Sequence, residues 1–175
     1  LTSRYGANMT IATAVNTAMH HEPIDIFETK MPPGDHLIAA FAGQDGPTLI
    51  VVGGVHGNEA AGVRALERVA DDIGNRDVTF RGRVYFLAGN TRALIEGKRF
   101  ITKDLNRSWT TRELAAAIFY DESSPTDRVE LAELDRLLDS ILITAKDEVY
   151  VVDLHSTSAG GVPFATGGGT LRNRR

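Results

Sequence analysis

The chain has 175 residues, of which 42% are hydrophobic, and a formal net charge of −4, enough for one buried core and roughly one domain. That charge, with a pI near 5.7, excludes a nucleic-acid partner held on a phosphate-tracking basic surface, and Arg172, Arg174 and Arg175 are too few to reverse it. The lack of cysteine excludes disulfides and thiolate ligands, so any metal must be held by nitrogen and oxygen. Residues 1–36 read as an N-terminal extension and lead-in. The first residue is Leu1, so Met9 is the expected native start and residues 1–8 the expected vector-derived remnant. No run approaches the length of a membrane span, and the N-terminus lacks a positive region followed by a continuous apolar stretch, so a cytoplasmic protein without a membrane partner is expected.

Short apolar runs at Leu37 to Phe41, Leu49 to Val52, Val84 to Leu87 and Val149 to Val152 predict strands. The last three are apolar enough to be buried on both faces. Between the second and third, Gly62, Leu66, Val69 and Ile73 follow helical spacing from Asn58 onward, and Gly74 stands where a left-handed cap is expected. Thr110 with Glu113 fits a capping box that opens a short helix carrying Leu114, Ala117 and Ile118. Ser124 is the expected cap of a longer helix, with Pro125 in its first position and Asp127 in its first turn. Its buried stripe is Leu131, Leu134, Leu138, Ile141 and Ala145. Gly160, Gly161 and Gly167 to Gly169 make the last residues loop-like. Strands alternating with helices predict an α/β domain with a mostly parallel central sheet flanked by helices, and ligands gather at the carboxyl ends of such strands.

Two histidines follow expected strand ends. GGVHGNE, Gly53 to Glu59, comes directly after Leu49 to Val52, and DLHST places His155 after Val149 to Val152. His56, Glu59 and His155 can supply two imidazoles and a carboxylate, the donor set of an open zinc site. Glu59, three residues after His56, is expected in the first turn of the next helix, on the same side. Alone, HxxE is a weak signal, and a lone histidine is more often structural. The glycines Gly53, Gly54 and Gly57 suit a turn where backbone approaches something closely. A phosphate cradle competes for that reading, but no Lys-Ser, Lys-Thr or GxGxxG is present, nor a GxSxG nucleophile elbow. RFITKDLNRSW, Arg99 to Trp109, reads on composition as a solvated polar loop, yet Asn106 beside Arg107 suits a carboxylate, because a guanidinium binds one through two parallel hydrogen bonds. Trp109 is expected in the core.

GGVHGNE, then RxxxxDLNR, then DLHST, in this order and at these separations, closely resembles the succinylglutamate desuccinylase and aspartoacylase family, itself similar to zinc carboxypeptidases. The resemblance runs from about Leu37 to the C-terminus and implies a zinc carboxypeptidase-like three-layer sandwich. By that resemblance His56, Glu59 and His155 look like the ligands of one zinc per chain, Asn106 and Arg107 like a clamp for the substrate carboxylate, and Arg99 like the group that polarises the scissile carbonyl. Asp104 resembles an aspartate that orients a zinc-bound histidine, and Asp153 is a second candidate for that task, two residues from His155 on a strand. The implied reaction is hydrolysis of an N-acyl amino acid, removing a succinyl- or acetyl-like group, with zinc-activated water as nucleophile.

The family's general-base glutamate lies well downstream of the second zinc histidine, and no Asp or Glu follows His155 here. Residues 37–175 are therefore expected to be a partial catalytic domain, truncated before the family's C-terminal β domain. A sheet edge left open in this way offers a route to a homo-oligomer. Two other readings share the same residues: a metallocarboxypeptidase acting on peptides, and a zinc-binding domain without catalysis.

Overall fold

The structure is a computed structural model and describes residues 22–23, 36–121, 123–156 and 164–167. The expectations for residues 1–8, for Met9 and for Gly160, Gly161, Gly168 and Gly169 lie outside the described residues. Five strands form one sheet: β1 (Glu22–Pro23), β2 (Leu37–Ala42), β3 (Gln44–Gly53), β4 (Arg81–Ala88) and β5 (Val149–Leu154), in the order β1-β2-β4-β3-β5. The helices are α1 (Ala61–Gly74), α2 (Thr91–Glu96), α3 (Thr111–Ala117) and α4 (Thr126–Thr144), with a 3-10 turn at Leu105–Arg107. Among the described residues no helix is long and apolar enough to cross a membrane.

β3 pairs in parallel with both β4 and β5, while β2 runs antiparallel to β4 and to β1. The sheet is thus mostly parallel, with β2 the strand that runs the other way. β3 alternates its side chains between two layers, as a strand's period of two requires. Ile50 and Val52 join Leu87, Leu105, Leu114, Leu131 and Leu134 under α3 and α4. Val51 joins Phe41, Leu66 and Phe86 under α1. Each fully buried side chain of this size contributes about 1.5–3 kcal/mol, so the α3 and α4 face, with Ile50, Leu87, Leu105, Leu131 and Leu134 nearly inaccessible, carries most of the core. Trp109 packs against that face, as expected.

Several local expectations change. β5 is half-exposed along its length rather than buried on both faces, because among the described residues it pairs only with β3. α1 begins at Ala61 and runs through Gly74 to a right-handed cap at Asn75, so no left-handed glycine ends it. Val69 on this helix is exposed. α2 was not anticipated, although Asn90 caps its first turn by accepting from Ala93 N and Gly97 ends it at φ 61. Thr110 caps α3, accepting from Glu113 N at 3.3 Å. The Glu113 carboxylate, however, pairs with Lys103 at 2.7 Å instead of closing the capping box. Pro125, not Ser124, stands at the cap of α4; Ser124 bonds Asp121 in the preceding turn. Leu131, Leu134, Leu138 and Ile141 form the buried stripe, and Ala145 lies just past the helix end in extended backbone.

The unexpected feature of α4 is a set of buried acids beside that stripe: Asp127, Glu130, Glu133 and Asp135. Glu130 accepts from both N–H groups that open α2, Thr91 N at 2.9 Å and Arg92 N at 3.1 Å, as well as from the Thr91 hydroxyl. A helix start leaves such donors unpaired, and a carboxylate there is also favoured by the helix dipole. Arg92 reaches Glu130 at 2.7 Å and Glu133 at 2.8 Å, and Glu133 foremost holds its guanidinium proton more tightly than usual. The buried His36 donates Nδ1–H to Ala88 O at 2.9 Å and turns Nε2 toward Glu130 and Glu133, 3.5 Å from each. These three side chains could also surround a cation, but Arg92 already pairs with both carboxylates there.

Asp127 collects donors from a different segment. Its carboxylate accepts from Asn90 Nδ2 at 2.8 Å, Ile101 N at 3.1 Å, Thr102 Oγ1 at 2.7 Å and Lys103 N at 2.9 Å, and from Thr102 N. Burial pushes this carboxyl up, and the donors from Thr102, Lys103 and Asn90 outweigh it, so the group sits below its ordinary 3.8.

Glu130→Ala leaves Arg92 and the start of α2 without their partner and is expected to cost about 3–5 kcal/mol in urea unfolding. Glu67→Ala on the exposed face of α1 should change stability by less than about 0.5 kcal/mol. Because the folded Asp127 value is depressed, its contribution is present above the unfolded value of 3.8 and lost as pH falls through the folded one. Urea midpoints measured between about pH 5 and 2 should therefore fall more steeply for the wild type than for Asp127→Asn.

Candidate metal centre

Register brings the two histidine segments together. Gly53 at the end of β3 pairs with Ala88 of β4 on one side and Leu154 of β5 on the other, so the loops after all three strands leave from one edge. Gly54 follows at φ 72, in the left-handed region that side chains disfavour. Its carbonyl accepts from Asn90 N at 2.9 Å, tying the loop after β3 to the one after β4. Gly57 is required by proximity: its N–H donates to Arg99 O at 3.2 Å, and a Cβ there would stand 2.1 Å from the carbonyl carbon of Ala93 in α2.

Glu59 is not in the first turn of α1. Residues 56–59 form a turn ahead of the helix, closed by Glu59 N donating to His56 O at 2.9 Å. This turn accomplishes what helical spacing was expected to do, because His56 Nδ1 and Glu59 Oε1 stand 3.0 Å apart. His155 is the first residue after β5, and its Nδ1 lies 3.2 Å from Glu59 Oε2. Ser156 N donates to the same oxygen at 2.7 Å. The three side chains each offer a donor atom within 4.8 Å of the others. His56 and Glu59 are buried, while the His155 side chain is 32% exposed, so the group opens to solvent on the β5 side.

Both imidazoles turn their second nitrogen to an aspartate. His56 Nε2 is 3.2 Å from Asp104 Oδ1, and His155 Nε2 is 2.7 Å from Asp153 Oδ2. An imidazole that donates Nε2–H to a carboxylate keeps its lone pair on Nδ1, and here both Nδ1 atoms face Glu59. Two nitrogen lone pairs and a carboxylate then converge with no proton among them, an arrangement that a cation stabilises. Arg99 Nη2, 2.9 Å from His56 Nε2, suits the other tautomer, in which Nδ1–H donates to Glu59 instead. The donor set and its outer partners therefore fit a divalent ion with nitrogen and oxygen preference.

Burial works to raise the Glu59 carboxyl, but the Ser156 N–H and both histidines outweigh it and hold the group below its ordinary value. Asp153 moves the other way, pushed up by burial against the pull of His155. Arg99, whose side chain is half exposed, lies 3.6 Å from Glu59 and 3.7 Å from Asp104.

The segment from Arg99 to Trp109 is positioned by its apolar members. Leu105 is fully buried in the core under α4, which turns its neighbours outward. Asp104 caps the 3-10 turn, accepting from Asn106 N at 3.0 Å while its carboxylate contacts His56. Asn106 and Arg107 are exposed in that turn, and among the described residues no hydrogen bond or ion pair joins their side chains to His56, Glu59 or His155. Sequence reasoning thus located six residues that meet, His56, Glu59, His155, Arg99, Asp104 and Asp153, and two that stand on the same segment as Asp104. It missed Asn90 and Asp127, whose bonds hold that segment. An asparagine after a strand and an acid in a helix's first turn are too ordinary to signal such a role.

Residues 45–165 match the sequence model of the succinylglutamate desuccinylase/aspartoacylase catalytic domain. A succinylglutamate desuccinylase of Pseudomonas fluorescens strain Pf0-1 is 33% identical over 119 residues, 68% of this chain and 33% of that protein. One from Pseudomonas paraeruginosa strain PA7 is 31% identical over 119 residues, 68% and 34% of the two chains. This chain therefore spans about a third of the length of the curated relatives it matches. Among solved structures, the succinylglutamate desuccinylase of Chromobacterium violaceum has a TM-score of 0.55 at 24% identity, over 67% of this chain and 37% of that one. The Vibrio cholerae enzyme has a TM-score of 0.55 at 20% identity, over 69% and 34%, a likeness of fold. With the family's sequence model spanning both histidine segments and everything between them, the chain belongs to the succinylglutamate desuccinylase/aspartoacylase catalytic-domain family.

Proposed function

We propose that this chain is the metal-binding part of a zinc-dependent hydrolase that removes a succinyl- or acetyl-like group from an N-acyl amino acid, on a zinc carboxypeptidase-like scaffold. The observation that carries the reading is the meeting of His56, Glu59 and His155, with each imidazole backed by its own aspartate. His56 Nδ1, a Glu59 oxygen and His155 Nδ1 would hold one zinc, and Asp104 and Asp153 would fix the two rings in the ligating tautomer. Zinc held this way would supply a polarised water with a pKa near about 7 and a Lewis acid for the amide carbonyl.

The chain's own residues do the rest. Arg99, beside His56 and half exposed, would present its guanidinium to a bound carbonyl and stabilise the charge that develops on its oxygen. Asn106 and Arg107, exposed on the neighbouring turn, offer an amide and a guanidinium to the substrate carboxylate. The desuccinylase relatives support a small N-acyl amino acid as the substrate class.

Elemental analysis of the purified chain is expected to give close to one zinc, lost in His155→Ala. A wild type that takes up no zinc when it is supplied would remove the reading. In the polypeptide that hydrolyses N-succinyl or N-acetyl amino acids, Arg99→Ala should lower kcat, by on the order of a hundredfold or more if it acts on the developing oxyanion. Arg107→Ala should instead raise KM with zinc content unchanged, since a charge-assisted hydrogen bond contributes about 1.5–3 kcal/mol. Release of C-terminal residues from peptides, with N-acyl amino acids untouched, would replace this substrate class with a carboxypeptidase's.

A further inference from the structure

We propose that Asp127 is the positioning residue of the metal centre: from the first turn of α4 it sets where Arg99 and Asp104 stand against His56, without touching His56 itself. The proposal rests on the reading of that centre as a zinc site and adds the group that keeps its outer wall in place. Asp127 is 2% exposed and does not cap its own helix. Its two oxygens accept from three consecutive backbone N–H groups, Ile101, Thr102 and Lys103, and from the Thr102 hydroxyl. Those three residues lie between Arg99 and Asp104, the two residues that contact His56 Nε2.

The other fixings of this segment are the Lys103 ion pair with Glu113 and the contacts at its two ends. Gly57 N holds Arg99 O at one end, and buried Leu105 anchors the other. Between them, five donors converge on one carboxylate and leave the backbone of 101–103 little freedom. Asn90 extends the connection. It donates Nδ2–H to Asp127, caps α2 through Oδ1, and donates its own N–H to Gly54 O in the loop that leads to His56. Asp127 thus ties the loops after β3 and β4 to the segment that carries Arg99 and Asp104. Asparagine in its place has the same shape but presents an NH2 to donors that need an acceptor, so it loosens the segment while leaving the core intact.

The test compares Asp127→Asn with Glu130→Gln, a buried α4 acid that bonds α2 and not the 101–103 segment. Zinc affinity is measured by chelator competition, with chain stability followed in parallel. Outer partners of ligating histidines are worth roughly 10- to 100-fold in metal affinity, so Asp127→Asn should raise the zinc Kd by about tenfold or more, while Glu130→Gln loses stability with its Kd unchanged. Added to Asp104→Asn, the Asp127→Asn change should raise the Kd no further, since it acts through that aspartate. Equal weakening by Asp127→Asn and Glu130→Gln, or effects of Asp127→Asn and Asp104→Asn that multiply, would overturn the proposal. If the wild type takes no zinc, the hydrolase reading falls and the NMR signal of Arg99 Nε–H in the metal-free protein decides the positioning role. A shift in Asp127→Asn but not in Glu130→Gln upholds it, and no shift in either overturns it.

Discussion

Everything at the candidate centre depends on the parallel register of β3 with its two neighbours. Gly53 faces Ala88 across one ladder and Leu154 across the other, so three chain segments leave the sheet in one row. A parallel pair slipped by one residue would turn every side chain of β5 to the opposite face and carry His155 away from Glu59. The register is fixed by burial on both sides of β3. Ile50 and Val52 belong to the layer under α4 and Val51 to the layer under α1, so no slip leaves both layers filled. The meeting of His56, Glu59 and His155 is therefore a by-product of core packing, and the polar residues only refine it.

That refinement comes from α4, one of whose buried acids acts at a distance from the chemistry. Glu130 fastens the start of α2, a contribution to stability. Asp127 fastens the segment with Arg99 and Asp104. The cost of burying these carboxylates is offset by donors supplied from backbone amides, hydroxyls and Arg92, which is the condition for burial of charge to be tolerable. α4 serves in this way as a rigid rail with apolar contacts along one stripe and polar anchors beside it.

How much of this was legible in the sequence follows from how far apart the causes lie. Apolar runs announced β2 to β5 correctly because strand burial is a local property of four to six residues, and the family motifs named the residues that converge. α2 escaped notice although Asn90 and Gly97 punctuate it, since six residues carry too little periodicity to register. The expected caps at Gly74 and Ser124 fail because a suitable residue type does not make a cap by itself: the helix continues in one case and the serine bonds Asp121 in the other. The buried acids of α4 were unreadable for a deeper reason. The hydrogen-bond partners described above for Asp127, Glu130 and Glu133 stand 24 to 41 positions away, and nothing within the helix itself distinguishes an acid that meets them from one that meets water.

The separation of the two halves of the centre has a consequence for how the protein is made. His155 and Glu59 are 96 positions apart in the chain, and the contact that joins them exists only once β5 has docked on β3. As the polypeptide emerges from the ribosome, β2, β3, α1 and β4 have all been synthesised long before β5 is available. Through that interval His56 and Glu59 form only part of a binding site. Closure of so long a loop carries an entropy cost that later contacts must offset, and a metal ion captured by all three side chains would act as a latch on β5. On the zinc reading proposed above, capture of the ion and docking of β5 on β3 would be linked, so supply of the ion would favour that pairing.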